Sequence, residues 1–220
     1  MFAPRLKLGV RPLNDHHDEL RNETMTPVAT SSRRPCWTDV RARLETSDRK
    51  SLLALVHDLY EASPANRRFL EARFLPSPGA LAKYHRLVSD AVFPDPLSRR
   101  RVALRDATAV ITEYRRSTGD VAGTVDLMLT FIEAGTEQAA DLGYGDEAYF
   151  SALEHKLDAI AKSWRELSPT TQVAITTRLA RVQTRATQIG WGFGDYVDDV
   201  IARLRKLAPE QRVRRNEHAV

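Results

Sequence analysis

The chain has 220 residues, of which 42% are hydrophobic and 28% charged, a composition typical of a globular protein rather than of a disordered or fibrous one. Its single cysteine, Cys36, excludes an intramolecular disulfide and a cysteine-based zinc site. No segment approaches the roughly 18 consecutive apolar residues of a membrane span, and the N-terminus lacks the apolar core of a secretion signal. We therefore expect a cytoplasmic protein that does not enter a membrane.

The two ends of the chain show no sustained apolar period. Residues 1–36 contain scattered charges and a polar run, and we predict that they form a disordered leader. Met25 lies close to the first periodic segment and is an alternative start to Met1. Residues 208–220 are predicted to form a disordered, solvated tail.

Residues 37–207 carry apolar residues at helical spacing almost without interruption, which predicts a single helical domain over this range. Its helices begin and end at typical signals: Gly119-Asp120 separates two of them, and Ser168-Pro169 is an N-cap followed by proline at the first helical position. The segment from Val121 to Phe131 is apolar on most sides, which indicates the central helix. An earlier helix has a well-defined apolar stripe, formed by Leu52, Leu55, Val56 and Leu59.

Alternation with a period of two, the pattern of a half-buried strand, has no comparable run in the sequence. The sequence therefore predicts an all-α protein, either a bundle or an irregular array of about eight helices, with no sheet.

Charge is segregated along the chain. Residues 1–119 hold 21 Lys and Arg against 14 Asp and Glu, residues 120–158 hold 1 against 9, and residues 159–220 hold 11 against 6. The three segments thus carry net charges of +7, −8 and +5, within a total of +4. Such segregation predicts a dipolar surface that attracts a partner, an ion or another copy of the chain.

The carboxylates of the acidic segment suggest a cation site. Asp126, Glu133, Glu137 and Asp141 fall within an arc of about 80° if one helix continues through them. Carboxylate oxygens bind divalent cations, and His155 on the next helix would add a ligand for a transition metal. Alternatively, these acids form ion pairs with the arginines that precede them, Arg99, Arg100, Arg101, Arg105, Arg115 and Arg116.

Two groups of arginines are further candidates. Asn66, Arg67 and Glu71 lie with Arg68 and Arg73 on one helix, where arginine forks hold phosphates or carboxylates. The alternative for Arg67 and Glu71 is an ordinary ion pair one helical turn apart. A second group forms either a stripe that follows phosphates or a solvated helix face: Arg178, Arg181 and Arg185, near Arg203, Arg205 and Lys206.

Two segments, Leu52–Phe74 and Ala109–Gly135, together resemble a bacterial family of uncharacterised helical proteins, domain-of-unknown-function family 6155. The similarity extends through Asp146–Phe150 to about Ile160 and covers roughly half of the chain. It implies an all-helical fold and no assigned reaction, and it leaves residues 165–207 as an appended helical pair. The matching residues are Leu59, Tyr60, Asn66, Phe69, Leu70, Phe74, Tyr114, Asp126, Leu127, Phe131, Glu133 and Gly135.

Catalytic signatures are missing from the sequence: it has no Gly-x-Ser-x-Gly elbow and no phosphate-cradling glycine loop. His57 and His85 lie on helices among apolar stripes, where we expect structural roles. We therefore assign no catalytic residue and favour a non-enzymatic interaction or scaffold domain that binds a protein partner or itself through its segregated charge. The alternative is a protein that binds a divalent metal, or a metal-dependent hydrolase, built on Asp126 and Glu133. A weak nucleic-acid binder is the third hypothesis.

Overall fold

The computed structural model describes residues 34–75, 78–190 and 192–207. Over these stretches the chain forms nine α-helices, two short 3-10 turns and no strand, which confirms the predicted all-α fold. The predicted tail, Met25 and the predicted leader up to residue 33 lie outside the described residues. The helices are α1 (Trp37–Glu45), α2 (Arg49–Ala62), α3 (Pro64–Phe74), α4 (Pro78–Val92), α5 (Leu104–Thr118), α6 (Val121–Leu142), α7 (Glu147–Ser163), α8 (Pro169–Ala186) and α9 (Phe193–Leu207).

The chain divides into two compact units, Met1–Asp48 and Arg49–Val220. The first unit contains α1, none of whose residues is buried. The second contains α2 to α9 and the hydrophobic core. The helical domain predicted for residues 37–207 thus begins inside the first unit.

Side-chain caps begin four of the helices in the second unit. Ser63, Asp120, Asp146 and Ser168 each accept a hydrogen bond from the backbone N–H three residues further along. These bonds satisfy donors that a helix N-terminus otherwise leaves unpaired. The helix boundaries predicted at Gly119-Asp120 and Ser168-Pro169 are confirmed, and Gly119 has the left-handed φ of +68° that favours glycine at a helix end.

Helix α6 is the centre of the second unit, as its sequence predicts. It packs against α4, α5, α7 and α8, and Leu127, Leu129 and Phe131 are fully buried. The helix continues through Gly135, where α7 approaches closely: a Cβ at this position would lie 2.5 Å from Leu153 Cδ2. The hydroxyl of Tyr149 on α7 donates to the Gly135 carbonyl oxygen over 2.8 Å.

The last two helices share this core. Helix α8 packs against α6, and α9 packs against both α7 and α8. The rings of Phe150 on α7 and Phe193 on α9 lie 5.6 Å apart, and Leu179 and Val197 are fully buried. Helices α8 and α9 therefore cover the acidic helices α6 and α7.

Candidate functional site

Arg178 on α8 lies between the two carboxylates of the predicted site. Its Nε donates to Glu133 Oε1 over 2.8 Å and its Nη2 donates to Glu133 Oε2 over 2.5 Å, which is the bidentate geometry of a strong ion pair. Its Nη1 donates to Asp126 Oδ1. Asp126 and Glu133 lie two turns apart on one face of α6, so a single guanidinium reaches both.

His85 on α4 joins the same cluster from the other side. Its Nε2 lies 2.8 Å from Asp126 Oδ2, and its Nδ1 lies 2.8 Å from Thr130 Oγ1. Thr130 also accepts a 3.4 Å hydrogen bond from Arg178 Nη2. Both ring nitrogens of His85 therefore have partners, as expected of a structural histidine. We call His85, Asp126, Thr130, Glu133 and Arg178 the interhelical cluster.

The cluster keeps its central charges ionised. Partial burial of Asp126 acts to raise its pKa, but the hydrogen bond from His85 and the charge of Arg178 outweigh burial and hold this pKa below its ordinary value. The hydrogen bonds to Glu133 raise the pKa of Arg178, against the opposing effect of burial. The side chains of Asp126 and Arg178 are 34% and 28% exposed, so the interhelical cluster is partly desolvated. Its hydrogen bonds and ion pairs join α4, α6 and α8.

The four predicted metal ligands are not assembled around one point. Asp126 and Glu133 face Arg178, whose positive charge lies where the metal hypothesis places a cation. Glu137 is exposed on α6, and His155 is exposed on α7. Within residues 34–75, 78–190 and 192–207, no group of three or more His, Cys, Asp or Glu side chains has an arrangement suited to a metal ion.

The ion pairs of the acidic segment differ from the expected ones. Its paired acids take arginines from α8 and α9 rather than from the preceding helix: Asp126 and Glu133 bind Arg178, Asp141 binds Arg185, and Asp158 binds Arg203. The expected pairing was wrong because α8 and α9 pack over α6 and α7 and bring their arginines to these acids. The arginines expected as partners are exposed to solvent: Arg99, Arg100, Arg101, Arg105, Arg115 and Arg116.

The second predicted binding group, Asn66, Arg67 and Glu71, makes its contacts within the α2–α3 corner. Asn66 Nδ2 donates to the Leu59 carbonyl oxygen over 2.8 Å. Arg67 pairs with Glu61 at 2.9 Å and lies over the Tyr60 ring, so the expected Arg67–Glu71 pair is not formed. Glu71 instead accepts the Tyr60 hydroxyl over 3.1 Å.

Sequence reasoning missed a second polar cluster that joins α3, α4 and α5. Arg68 Nε and Nη2 each donate to the Glu113 carboxylate over 3.2 Å, and the Tyr84 hydroxyl donates to it over 2.9 Å. Burial, followed by the hydrogen bond to Glu113, raises the pKa of Tyr84 to about 12. The one signal in the sequence was the polar hydroxyl of Tyr84 on an otherwise apolar helix face.

Two grooves are lined in part by residues of the interhelical cluster. One has a volume of about 450 Å³ and is lined by Asp126 and Arg178. The other has a volume of about 330 Å³ and is lined by Thr130 and Glu133, together with the exposed side chain of Arg181. Both volumes lie within the usual range of small-molecule sites.

Helix α2 presents its apolar side chains to solvent. None of its residues is buried, although Leu52, Leu55, Val56 and Leu59 repeat at the spacing of an amphipathic helix. Tyr60 and Leu52 are half-buried where α2 packs against α3. We call the remaining exposed apolar residues the α2 face; they are Leu53 (61% exposed), Leu55 (40%), Val56 (42%) and Leu59 (48%).

Comparison with known proteins gives no relative: no family model, no curated protein and no solved structure matches this chain. In the described part of the chain, every helix is too short or too polar to cross a membrane.

Proposed function

We propose that this chain is a non-enzymatic protein-interaction domain whose contact surface is the α2 face. The observation that carries this proposal is the exposure of Leu55, Val56 and Leu59, three of the four residues in the apolar stripe of α2, a helix of 14 residues without a buried side chain. Single exposed apolar residues are ordinary, but a contiguous exposed row on one helix is typical of a surface that a partner covers.

The part of the chain from α2 to α5 has an excess of basic residues, which favours an acidic partner. Residues 49–118 hold 13 Lys and Arg against 7 Asp and Glu. Helix α3 packs against both α2 and α5, and Arg73 on α3 donates to the Arg116 carbonyl oxygen, so the exposed arginines Arg115 and Arg116 lie on the element next to α3. We infer that the partner presents an apolar helix flanked by carboxylates, which pairs with the α2 stripe by side-chain packing and with the arginines by charge.

The two alternative functions have less support. A divalent cation at Asp126 and Glu133 would have to displace the guanidinium that bridges both carboxylates. A phosphate-binding stripe on α8 would need Arg178 and Arg185, which are already paired with Asp126, Glu133 and Asp141. Intramolecular ion pairs thus engage Asp126 and Glu133, on which the metal hypothesis depends, and two of the three arginines of the α8 stripe.

The test uses the purified full chain as bait in lysate of its own cells. We expect it to retain an acid-rich protein, and we expect the double substitution Leu55→Glu and Leu59→Glu to lose that protein, because it places carboxylates on the apolar contact. The matched control is Leu97→Glu, at an exposed leucine (90%) outside the α2 face. Retention should also fall with salt, because charges separated by more than about 8–10 Å are screened at 0.1–0.15 M ionic strength.

Equal retention by the wild type, the double variant and the control would overturn the proposal. Sedimentation equilibrium of the purified chain tests whether a second copy of the chain covers the α2 face instead. If the wild type is a dimer and the double variant is a monomer, the proposal of an acidic partner is overturned and the α2 face is assigned to self-association. Thermal melts accompany both measurements, because a surface role predicts changes within about 0.5 kcal/mol for these exposed positions.

A further inference from the structure

The groove of about 450 Å³ at the interhelical cluster has an apolar body and a charged end. Three helices form it: Leu81 comes from α4, Ala122 and Gly123 from α6, and Ala174 and Ile175 from α8. The small side chains of Ala122 and Ala174 contribute to the space between these three helices. The whole groove, at about 450 Å³, is large enough for a small molecule with a ring or a short branched chain.

Carboxylates dominate the charged end of the groove. Asp120 and Asp126 both line it, against the single guanidinium of Arg178. That guanidinium is also committed to Glu133, which holds two of its N–H groups outside this groove. The charge that faces the groove is therefore negative.

The two carboxylates retain hydrogen-bond capacity. Asp126 accepts one donor at each oxygen, from Arg178 and from His85, and Asp120 accepts one at each, from Gly123 N–H and from the Tyr114 hydroxyl. An ionised carboxylate offers about four lone-pair positions, so each still has room for further donors. Since the pKa of Asp126 is held low, its carboxylate is ionised at neutral pH.

We propose that this groove binds a small molecule with a protonated amine on an apolar body. The ammonium group would donate to Asp126 and Asp120, and the body would lie against Leu81, Ala174 and Ile175. An anionic ligand is disfavoured, because two carboxylates would repel it and Arg178 already has its partners. The site is separate from the α2 face, so neither proposal depends on the other.

Three probes of similar shape and different charge test the inference on the full chain: benzylamine, benzyl alcohol and phenylacetate. We expect benzylamine to raise the melting temperature and to shift the backbone amide resonances of residues 120–126 and 170–178. Benzyl alcohol should bind at least about tenfold more weakly than benzylamine, because it cannot form a charged hydrogen bond. Phenylacetate should not bind.

Two alanine substitutions on one helix provide the matched pair. Ala174→Leu fills the groove and leaves the ion pairs of Arg178 intact, so it should abolish the response to benzylamine. Ala180→Leu adds the same atoms at another exposed position of α8 and should preserve the response. Equal responses to benzylamine and benzyl alcohol, an undiminished response in Ala174→Leu, or no response to benzylamine at millimolar concentration would each overturn the inference.

Discussion

Helices α2 and α6 both carry apolar residues at helical spacing, but other helices cover α6 and leave α2 largely exposed. Helix α6 is surrounded by α4, α5, α7 and α8, and it buries Leu127, Leu129 and Phe131 completely. Helix α2 packs chiefly against α3 and leaves Leu53, Leu55 and Leu59 exposed. A periodic stripe therefore creates an apolar surface, whereas the neighbouring elements decide whether that surface forms the core or stays exposed.

The same comparison applies to polar residues. Asp126 and Glu133 on α6 are partly desolvated, and Arg178 on α8 pairs with both. On α2, Glu61 is about half exposed and pairs with Arg67 on the adjacent helix α3. The ion pairs between α6 and α8 join residues 44 to 52 positions apart, whereas the Arg67–Glu61 pair spans six positions.

The largest expected effect comes from a cavity at the centre. Phe131→Ala removes a fully buried ring from α6 and should lower the free energy of unfolding by about 3–5 kcal/mol, measured by urea denaturation. Phe74→Ala removes the same ring from α3, where it is 69% exposed, and should cost less than about 1 kcal/mol. Similar losses in both variants would contradict the contrast between centre and periphery.

An intermediate effect is expected where a central ion pair is broken. Arg178→Met leaves Asp126 and Glu133 without their cation, and we expect a loss of about 1–2 kcal/mol, below the range for fully buried pairs because these side chains are about a third exposed. Arg181→Met is the control, since Arg181 lies one turn away on α8 and is exposed. Its free energy of unfolding should change by less than about 0.5 kcal/mol. A loss as large as that of Arg178→Met would assign the effect to the charge of α8 in general.

A smaller effect is expected from acid titration of the cluster. The pKa of Asp126 is lower in the folded chain than its ordinary value of 3.8, so the unfolded chain binds this proton more readily. The stabilisation by Asp126 is complete above about pH 4 and is lost as pH falls through the folded-state pKa. The difference in unfolding free energy between wild type and Asp126→Asn should therefore shrink below about pH 4. A difference that does not change between pH 7 and pH 3 would show that Asp126 is not stabilised as an anion.

The sequence was sufficient to predict the local structure because its signals are local. Asp120 and Ser168 cap their helices as expected, and the run from Val121 to Phe131 identified the central helix. The expectation that a carboxylate in so apolar a helix has a partner or faces solvent is met by Asp126, which pairs with Arg178 and His85.

The identity of that partner could not be predicted, because it depends on how distant helices pack. Arg178 lies 52 residues from Asp126 along the chain, and His85 lies 41 residues away. Neither spacing leaves a periodic signal in the sequence. The exposure of α2 was equally hidden, since its stripe has the same spacing as the stripe of a buried helix.

Asp120 makes two contacts at the α5–α6 corner, and their contributions to stability are linked. One carboxylate caps α6 through Gly123 N–H and also accepts the Tyr114 hydroxyl from α5 over 2.7 Å. Each contact fixes the rotamer that the other requires, so the free energies of the two contacts are coupled rather than additive. We therefore expect that removing either contact weakens the other, so that the start of α6 and the last turns of α5 stabilise each other.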